Sequence, residues 1–219
     1  MHSTIKNLLD IENNIKVYLN KLNINNNPKI VAVSKTFKID KILPLIDHGH
    51  VDYGENKVQE AFEKWTEIKK INSNIKLHMI GKLQTNKVKF AVQIFDYIHS
   101  VDSQKLAKKI ADEQNKINKK IKIFLQVNIG DENQKSGINK TDINQLVSYC
   151  KEIGLDLIGL MCIPPANIDP EDYFDEMNKL NKTLDLNELS MGMSSDFLIA
   201  TKHFSTYVRI GSSIFGKRI

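Results

Sequence analysis

Cysteine is scarce, and its spacing is unproductive. The chain has two, Cys150 and Cys162, with no CxxC pair. A disulfide framework and a cysteine-built metal site are therefore excluded, and a reducing cytoplasm is the expected compartment. Long apolar runs are missing as well, so no bilayer span and no membrane partner are expected. The polar start Met1-His2-Ser3-Thr4 lacks the apolar core of a signal peptide. Excess charge of one sign is also lacking, since 31 basic against 26 acidic residues leave a net +5. The densest basic run, Lys116 to Lys122, carries no interleaved aromatic residues, which argues against a nucleic-acid partner. There is no Gly/Ser/Pro-rich linker and no internal repeat. Gly81 to Lys87 lacks Walker spacing, and no Gly-x-Ser-x-Gly elbow occurs. His48-Gly49-His50 has no cysteine companion and does not follow a zinc-ligand spacing, so no metal site is expected.

What the chain does have is regular alternation. Its 219 residues are 41% hydrophobic and 26% charged, which suits one globular domain, residues 1–219. Apolar residues at helical spacing predict a first helix over 2–22. Strand patterns follow at 29–34, 51–53, 76–80, 97–100, 121–127, 155–161, 188–191 and 207–210. Helical segments lie between them near 39–47, 55–70, 84–91, 103–117, 141–151, 170–184 and 194–202, and a short one follows Ser212. Ser103 and Thr141-Asp142 read as N-caps. Eight strands alternating with helices imply a parallel α/β sheet. A closed (β/α)8 TIM barrel is the expected fold, with an open doubly wound sheet as the alternative.

The ends of those strands carry the chemistry. The first runs into Lys35, a primary amine at the rim where barrel sites form; a strand-end lysine also simply reaches for water. Partial burial would lower the pKa of such an amine and free it for attack on an aldehyde. The seventh strand ends Ser190-Met191-Gly192-Met193-Ser194, and the eighth ends Arg209-Ile210-Gly211-Ser212. Helices starting at Ser194 or Ser195 and at Gly211-Ser212 would present unpaired N–H groups to a phosphate, and Ser205 and Thr206 could add hydroxyls. The serines also suit plain N-caps. Arg209 faces inward, where a guanidinium would keep a pyridine nitrogen unprotonated. An amine, a phosphate cradle and an arginine on one rim suit pyridoxal 5′-phosphate.

Several segments, in order along the chain, resemble one family. They are Val31-Ala32-Val33-Ser34-Lys35, Tyr53-Gly54-Glu55-Asn56, His78 to Lys87, Gln126-Val127-Asn128, Gln134-Lys135-Ser136-Gly137-Ile138, Gly159-Leu160-Met161, Leu189 to Ser194 and Val208 to Gly216. The chain resembles the pyridoxal-phosphate homeostasis proteins, also described as alanine-racemase N-terminal-domain-like proteins. The resemblance implies a barrel of that type with Lys35 joined to the cofactor as a Schiff base (aldimine). It further implies Asn56 and Arg209 near the pyridine ring, phosphate binding by Ser194, Thr206, Gly211 and Ser212, and a role for Lys135 in cofactor handling. The cofactor-binding candidates are thus Lys35, Asn56, Met193, Ser194, Ser205, Thr206, Arg209, Gly211 and Ser212, and none is assigned as catalytic.

The implied function is holding pyridoxal 5′-phosphate and taking part in vitamin B6 homeostasis and amino-acid balance. Such a protein would act as a monomer, with pyridoxal-phosphate-dependent apo-enzymes as recipients. A pyridoxal-phosphate-dependent amino-acid racemase is the alternative. It needs a second acid/base, for which Tyr53, Tyr97 and Tyr207 are the candidates. Two departures from the family pattern stand out. Phe204 replaces a glycine before Ser205-Thr206, where it would tilt the phosphate turn, and Thr36-Phe37-Lys38 follows the cofactor lysine where many members have proline or lysine.

Overall fold

Burial on both faces turns each expected strand into a barrel stave. In β1 (Lys29–Val33), Ile30 and Ala32 pack against the outer helices while Val31 joins an interior cluster with Tyr97, Phe124, Met161 and Tyr207. The computed structural model describes residues 1–132 and 136–216. The remaining strands are β2 (Asp52–Glu55), β3 (Lys76–Met79), β4 (Tyr97–Val101), β5 (Lys122–Val127), β6 (Asp156–Cys162), β7 (Glu188–Ser190) and β8 (Tyr207–Ile210). Each pairs in parallel with the next, and β1 pairs with β8 from Lys29↔Tyr207 to Ala32↔Ile210. That last pairing closes the sheet, so the barrel holds and the open sheet does not.

The helices cover the outside. They are α1 (Ser3–Lys21), α2 (Ile39–Asp47), α3 (Val58–Ile71), α4 (Val88–Ile94), α5 (Gln104–Lys116), α6 (Ile143–Glu152), α7 (Glu171–Thr183), α8 (Phe197–Lys202) and α9 (Ser212–Phe215). Their apolar stripes enclose Trp65, Phe95 and Phe174, all fully buried. Ser103 caps α5, its Oγ accepting from the Leu106 N–H at 3.4 Å. The cap expected at Thr141-Asp142 does not form. A 3-10 turn over Lys140–Asp142 precedes α6, and Asp142 makes no side-chain capping bond. Its backbone is already helical there, which takes the carboxylate away from the first-turn N–H groups.

The basic run lies at the end of α5 and the start of β5. Lys119 is partly buried there, its Nζ donating to the Phe95 carbonyl at 2.7 Å, and burial lowers its pKa to about 8. Among the described residues no helix is long and apolar enough to cross a membrane, and no cluster of potential metal ligands occurs.

Candidate functional site

A cleft of about 550 Å³ opens at the C-terminal rim of the barrel. That size suits a small-molecule ligand. It gathers seven of the nine candidates: Lys35, Asn56, Met193, Ser194, Arg209, Gly211 and Ser212. Ile80 and Ile163 add apolar walls that the strand-end reading missed. Ile80 was legible from period two, since it follows the inward-facing His78 by two positions.

Lys35 sits two residues past β1, half-buried, in a turn that is tightly built. The Ser34 N–H donates to the Gly54 carbonyl at 3.0 Å, and Thr36 takes a left-handed φ of 68°. Glu60 Oε1 accepts the Thr36 N–H at 2.5 Å. Beneath the turn, Glu55 Oε1 accepts from Ser34 Oγ, Lys64 Nζ and Trp65 Nε1 at 2.8, 2.9 and 3.0 Å. Glu55 is fully buried, and desolvation raises its pKa despite the Lys64 charge and these donors. Lys64 also donates to the Ser34 carbonyl, so one buried ion pair fixes the backbone on which Lys35 stands. Sequence reasoning missed Lys64 and Trp65, which lie on α3 with only their helical spacing as a signal.

The opposite wall comes from β7, β8 and the turns after them. Gly192 has φ +91°, and a Cβ there would lie 2.5 Å from Ala200 Cβ. Only glycine allows this turn. It carries Met193 and Ser194 to the cleft, while Asp196 Oδ1 accepts the Met193 N–H at 2.5 Å. The helix expected from Ser194 or Ser195 starts later, at Phe197. Since α8 has six residues and α9 four, neither develops a sizeable macrodipole. Anion attraction here comes instead from individual turn N–H groups, serine hydroxyls and the nearby cations. Gly211 N–H reaches Ser194 Oγ only at 3.4 Å, a long bond that leaves both groups largely available.

Arg209 is 4% exposed, and desolvation lowers its pKa from the ordinary value. Its Nη1 donates to Ser190 Oγ at 2.7 Å and its Nη2 to the Cys162 carbonyl at 2.8 Å. Asn56 Oδ1 is buried without a hydrogen-bond partner beside the cleft, an incomplete polar site that a polar ligand could complete. Amine, guanidinium, orphaned amide and N–H-rich turns fit a phosphorylated aldehyde with a ring nitrogen.

A family model described as alanine racemase, N-terminal domain, matches residues 7–218. The pyridoxal phosphate homeostasis protein of Aquifex aeolicus is 37% identical over 200 residues, 87% of each chain. Its counterpart in Haemophilus influenzae is 36% identical over 225 residues, 97% of this chain and 94% of that one. This chain belongs to the pyridoxal phosphate homeostasis family. A solved family member, PipY of Synechococcus elongatus, is 31% identical and covers 92% of this chain and 100% of its own. It superposes with TM-scores of 0.83 without pyridoxal phosphate and 0.80 with it bound. An alanine racemase of Clostridium difficile shares 15% identity with a TM-score of 0.71, a likeness of fold alone.

Two of the nine candidates lie elsewhere. Ser205 and Thr206 precede β8, so strand direction puts them at the N-terminal rim. Their hydroxyls are engaged there: Ser205 Oγ donates to the Met191 carbonyl at 2.7 Å, and Thr206 Oγ1 accepts from the Leu189 N–H at 2.8 Å. Phe204 lies at that same rim with φ +63°, close to Lys182 Nζ at 5.3 Å, and cannot tilt a phosphate turn across the barrel. The three tyrosines do not line the cleft either. Tyr53 packs outward on Trp65, while Tyr97 and Tyr207 fill the barrel interior, where burial pushes both pKa values to about 12. Lys135 lies outside the described residues.

Proposed function

We propose that this chain binds pyridoxal 5′-phosphate in the C-terminal cleft and takes part in its homeostasis and in amino-acid balance. One observation carries the reading: Lys35, Arg209 and the turns after β7 and β8 border a single cavity. Bound pyridoxal phosphate supplies an aldehyde that accepts a primary amine. Lys35 is the residue that offers that amine, from a turn held in place by Glu55 and Lys64. Arg209 would serve as the partner of the ring nitrogen and, hardly ever losing its proton, would keep that nitrogen unprotonated. Ser194, Gly211 and Ser212 bind the phosphate, and Met193 and Asn56 complete the wall.

Among the described residues, none of the tyrosines considered for a second acid/base lines the cleft, which favours holding over racemisation. Holding and release further imply pyridoxal-phosphate-dependent apo-enzymes as recipients, met by a monomeric one-domain barrel in the cytoplasm. The free, buried Cys150 and Cys162 suit that reducing compartment.

Absorption spectra before and after adding pyridoxal phosphate test the reading. The expected result is a yellow protein whose cofactor, after borohydride, maps to Lys35 by mass spectrometry and is no longer fixed in Lys35→Ala. A protein that stays colourless with added cofactor overturns it. Ser194→Asp sets a carboxylate against the phosphate and should speed loss in dialysis; unchanged retention removes Ser194 from the site. Sedimentation checks the monomer.

A further inference from the structure

Arg209 is a buried cation; among the described residues no carboxylate lies within ion-pair distance of it, and Asp196 favours its charge only from farther off. A buried charge without a counter-charge is strongly unfavourable. A line of hydrogen bonds leads away from it through the barrel interior. Arg209 Nη1 reaches Ser190 Oγ at 2.7 Å, Ser190 Oγ meets His99 Nδ1 at 2.8 Å, and His99 Nε2 meets His78 Nδ1 at 2.9 Å. His78 Nε2 then meets Asp52 Oδ1 at 2.9 Å. Ser190, His99 and His78 are buried, whereas the Asp52 side chain is 14% exposed and borders a separate cavity beside α1 and β1.

The chemistry of the donors gives this line one direction. Arginine can only donate, so Ser190 Oγ accepts from it, and the Asp52 carboxylate can only accept, so His78 donates to it through Nε2. With both buried imidazoles neutral, His78 Nδ1 then accepts from the His99 Nε2–H, and His99 Nδ1 accepts from the Ser190 hydroxyl. A second proton on His78 would put an N–H against the N–H of His99. Tyr97 stacks on His78 at 4.2 Å and Phe124 on His99 at 4.3 Å, which fixes both ring planes. Each bond in the line thus runs from the Arg209 side toward Asp52, the one carboxylate of the line, at its far end.

We propose that Asp52, His78, His99 and Ser190 are positioning residues that hold Arg209 at the cofactor ring, the Asp52 carboxylate orienting the line from its far end. The proposal rests on the cofactor reading above. Asp52 touches no cofactor; a change there reaches the cleft through the aligned bonds.

The test uses the full chain loaded with pyridoxal phosphate as Asp52→Asn, Ser190→Ala and the double variant. Each single change should shift the visible band and speed cofactor release about tenfold, the scale of one charge-assisted hydrogen bond. The double variant should match Ser190→Ala within about twofold, because both changes cut one line. Release and spectrum of Asp52→Asn that match the unsubstituted protein, or effects that multiply in the double variant, overturn the proposal. Imidazole nitrogen NMR of the cofactor-free protein provides a separate arm. Nε2–H tautomers at both His78 and His99 are expected, and an Nδ1–H tautomer at either overturns it. Failure of the unsubstituted protein to take up pyridoxal phosphate would instead sink the cofactor reading, leaving the tautomer measurement to judge the line alone.

Discussion

Hydroxyl-bearing pairs sit at both ends of β8, Ser205-Thr206 before it and Ser212-Ser213 after it, yet they do different things. The first pair is spent on the barrel. Ser205 Oγ lies within bonding reach of the Leu189, Met191 and Tyr207 carbonyls, and Asn26 Nδ2 adds a bond to the Ser205 carbonyl at 3.0 Å. The second pair faces a turn where first-turn N–H groups have no helical partner, and Ser212 borders the cleft together with Ser194. The same residue types tie the barrel together at one rim and line the cleft at the other. Strand polarity decides which, because in a parallel barrel only the C-terminal rim gathers the turns that leave the strands.

The largest expected effect breaks the binding rim itself. Gly192→Ala forces a Cβ into Ala200 and a side chain onto a left-handed backbone. It should cost about 3 kcal/mol in urea unfolding and also weaken cofactor retention. Acid comes next. Burial lowers the pKa of His78 and takes that of His99 well below the ordinary 6.5. Below about pH 6.5 the unfolded chain takes up protons that the folded barrel refuses, so stability is complete above that pH and falls beneath it. His99, the more strongly shifted of the two, should account for the larger part of that loss between pH 7 and 5. The lowered pKa of Asp52, where the His78 bond and nearby positive groups outweigh desolvation, adds a loss only as pH falls below its ordinary 3.8. His99→Phe should be less stable at pH 7 but flatter over this range; an unchanged slope counts against a neutral His99.

The comparison is sharpest in a matched pair. Ser205→Ala should lower stability by about 1–2 kcal/mol and leave cofactor release unchanged. Ser194→Ala should speed release and leave stability within about 0.5 kcal/mol. A crossed pattern in thermal melts and dialysis would reverse the assignment of the two rims. The smallest effect is a gain. Phe204 holds a left-handed conformation with its side chain 44% exposed, so Phe204→Gly should stabilise by up to about 1 kcal/mol.

Much of this architecture was legible. The runs Ile30 to Val33 and Ile123 to Val127 announce strands buried on both faces, and turn residues at their ends announce the rim. Ser205 and Thr206 read as phosphate hydroxyls although they precede the last strand, whose direction places them at the other rim. The line from Asp52 to Arg209 could not be read in advance. Period two shows which residues point inward, but barrel closure and stagger decide which of them meet. Ser190 and His99 touch across 91 positions of chain. The Lys64 bond to Glu55 was hidden for a related reason, since any lysine on an exposed-looking helix reads as solvated until its helix is docked.

The closing pair β1 and β8 joins residues 178 positions apart, Lys29 and Tyr207. Lys35 and Asn56 therefore leave a ribosome well before Arg209 and Gly211. A nascent polypeptide cannot assemble the cleft until β8 has emerged and paired with β1. Ligand clasped across that seam should also slow the seam's opening, so the loaded protein should resist proteases longer than the empty one.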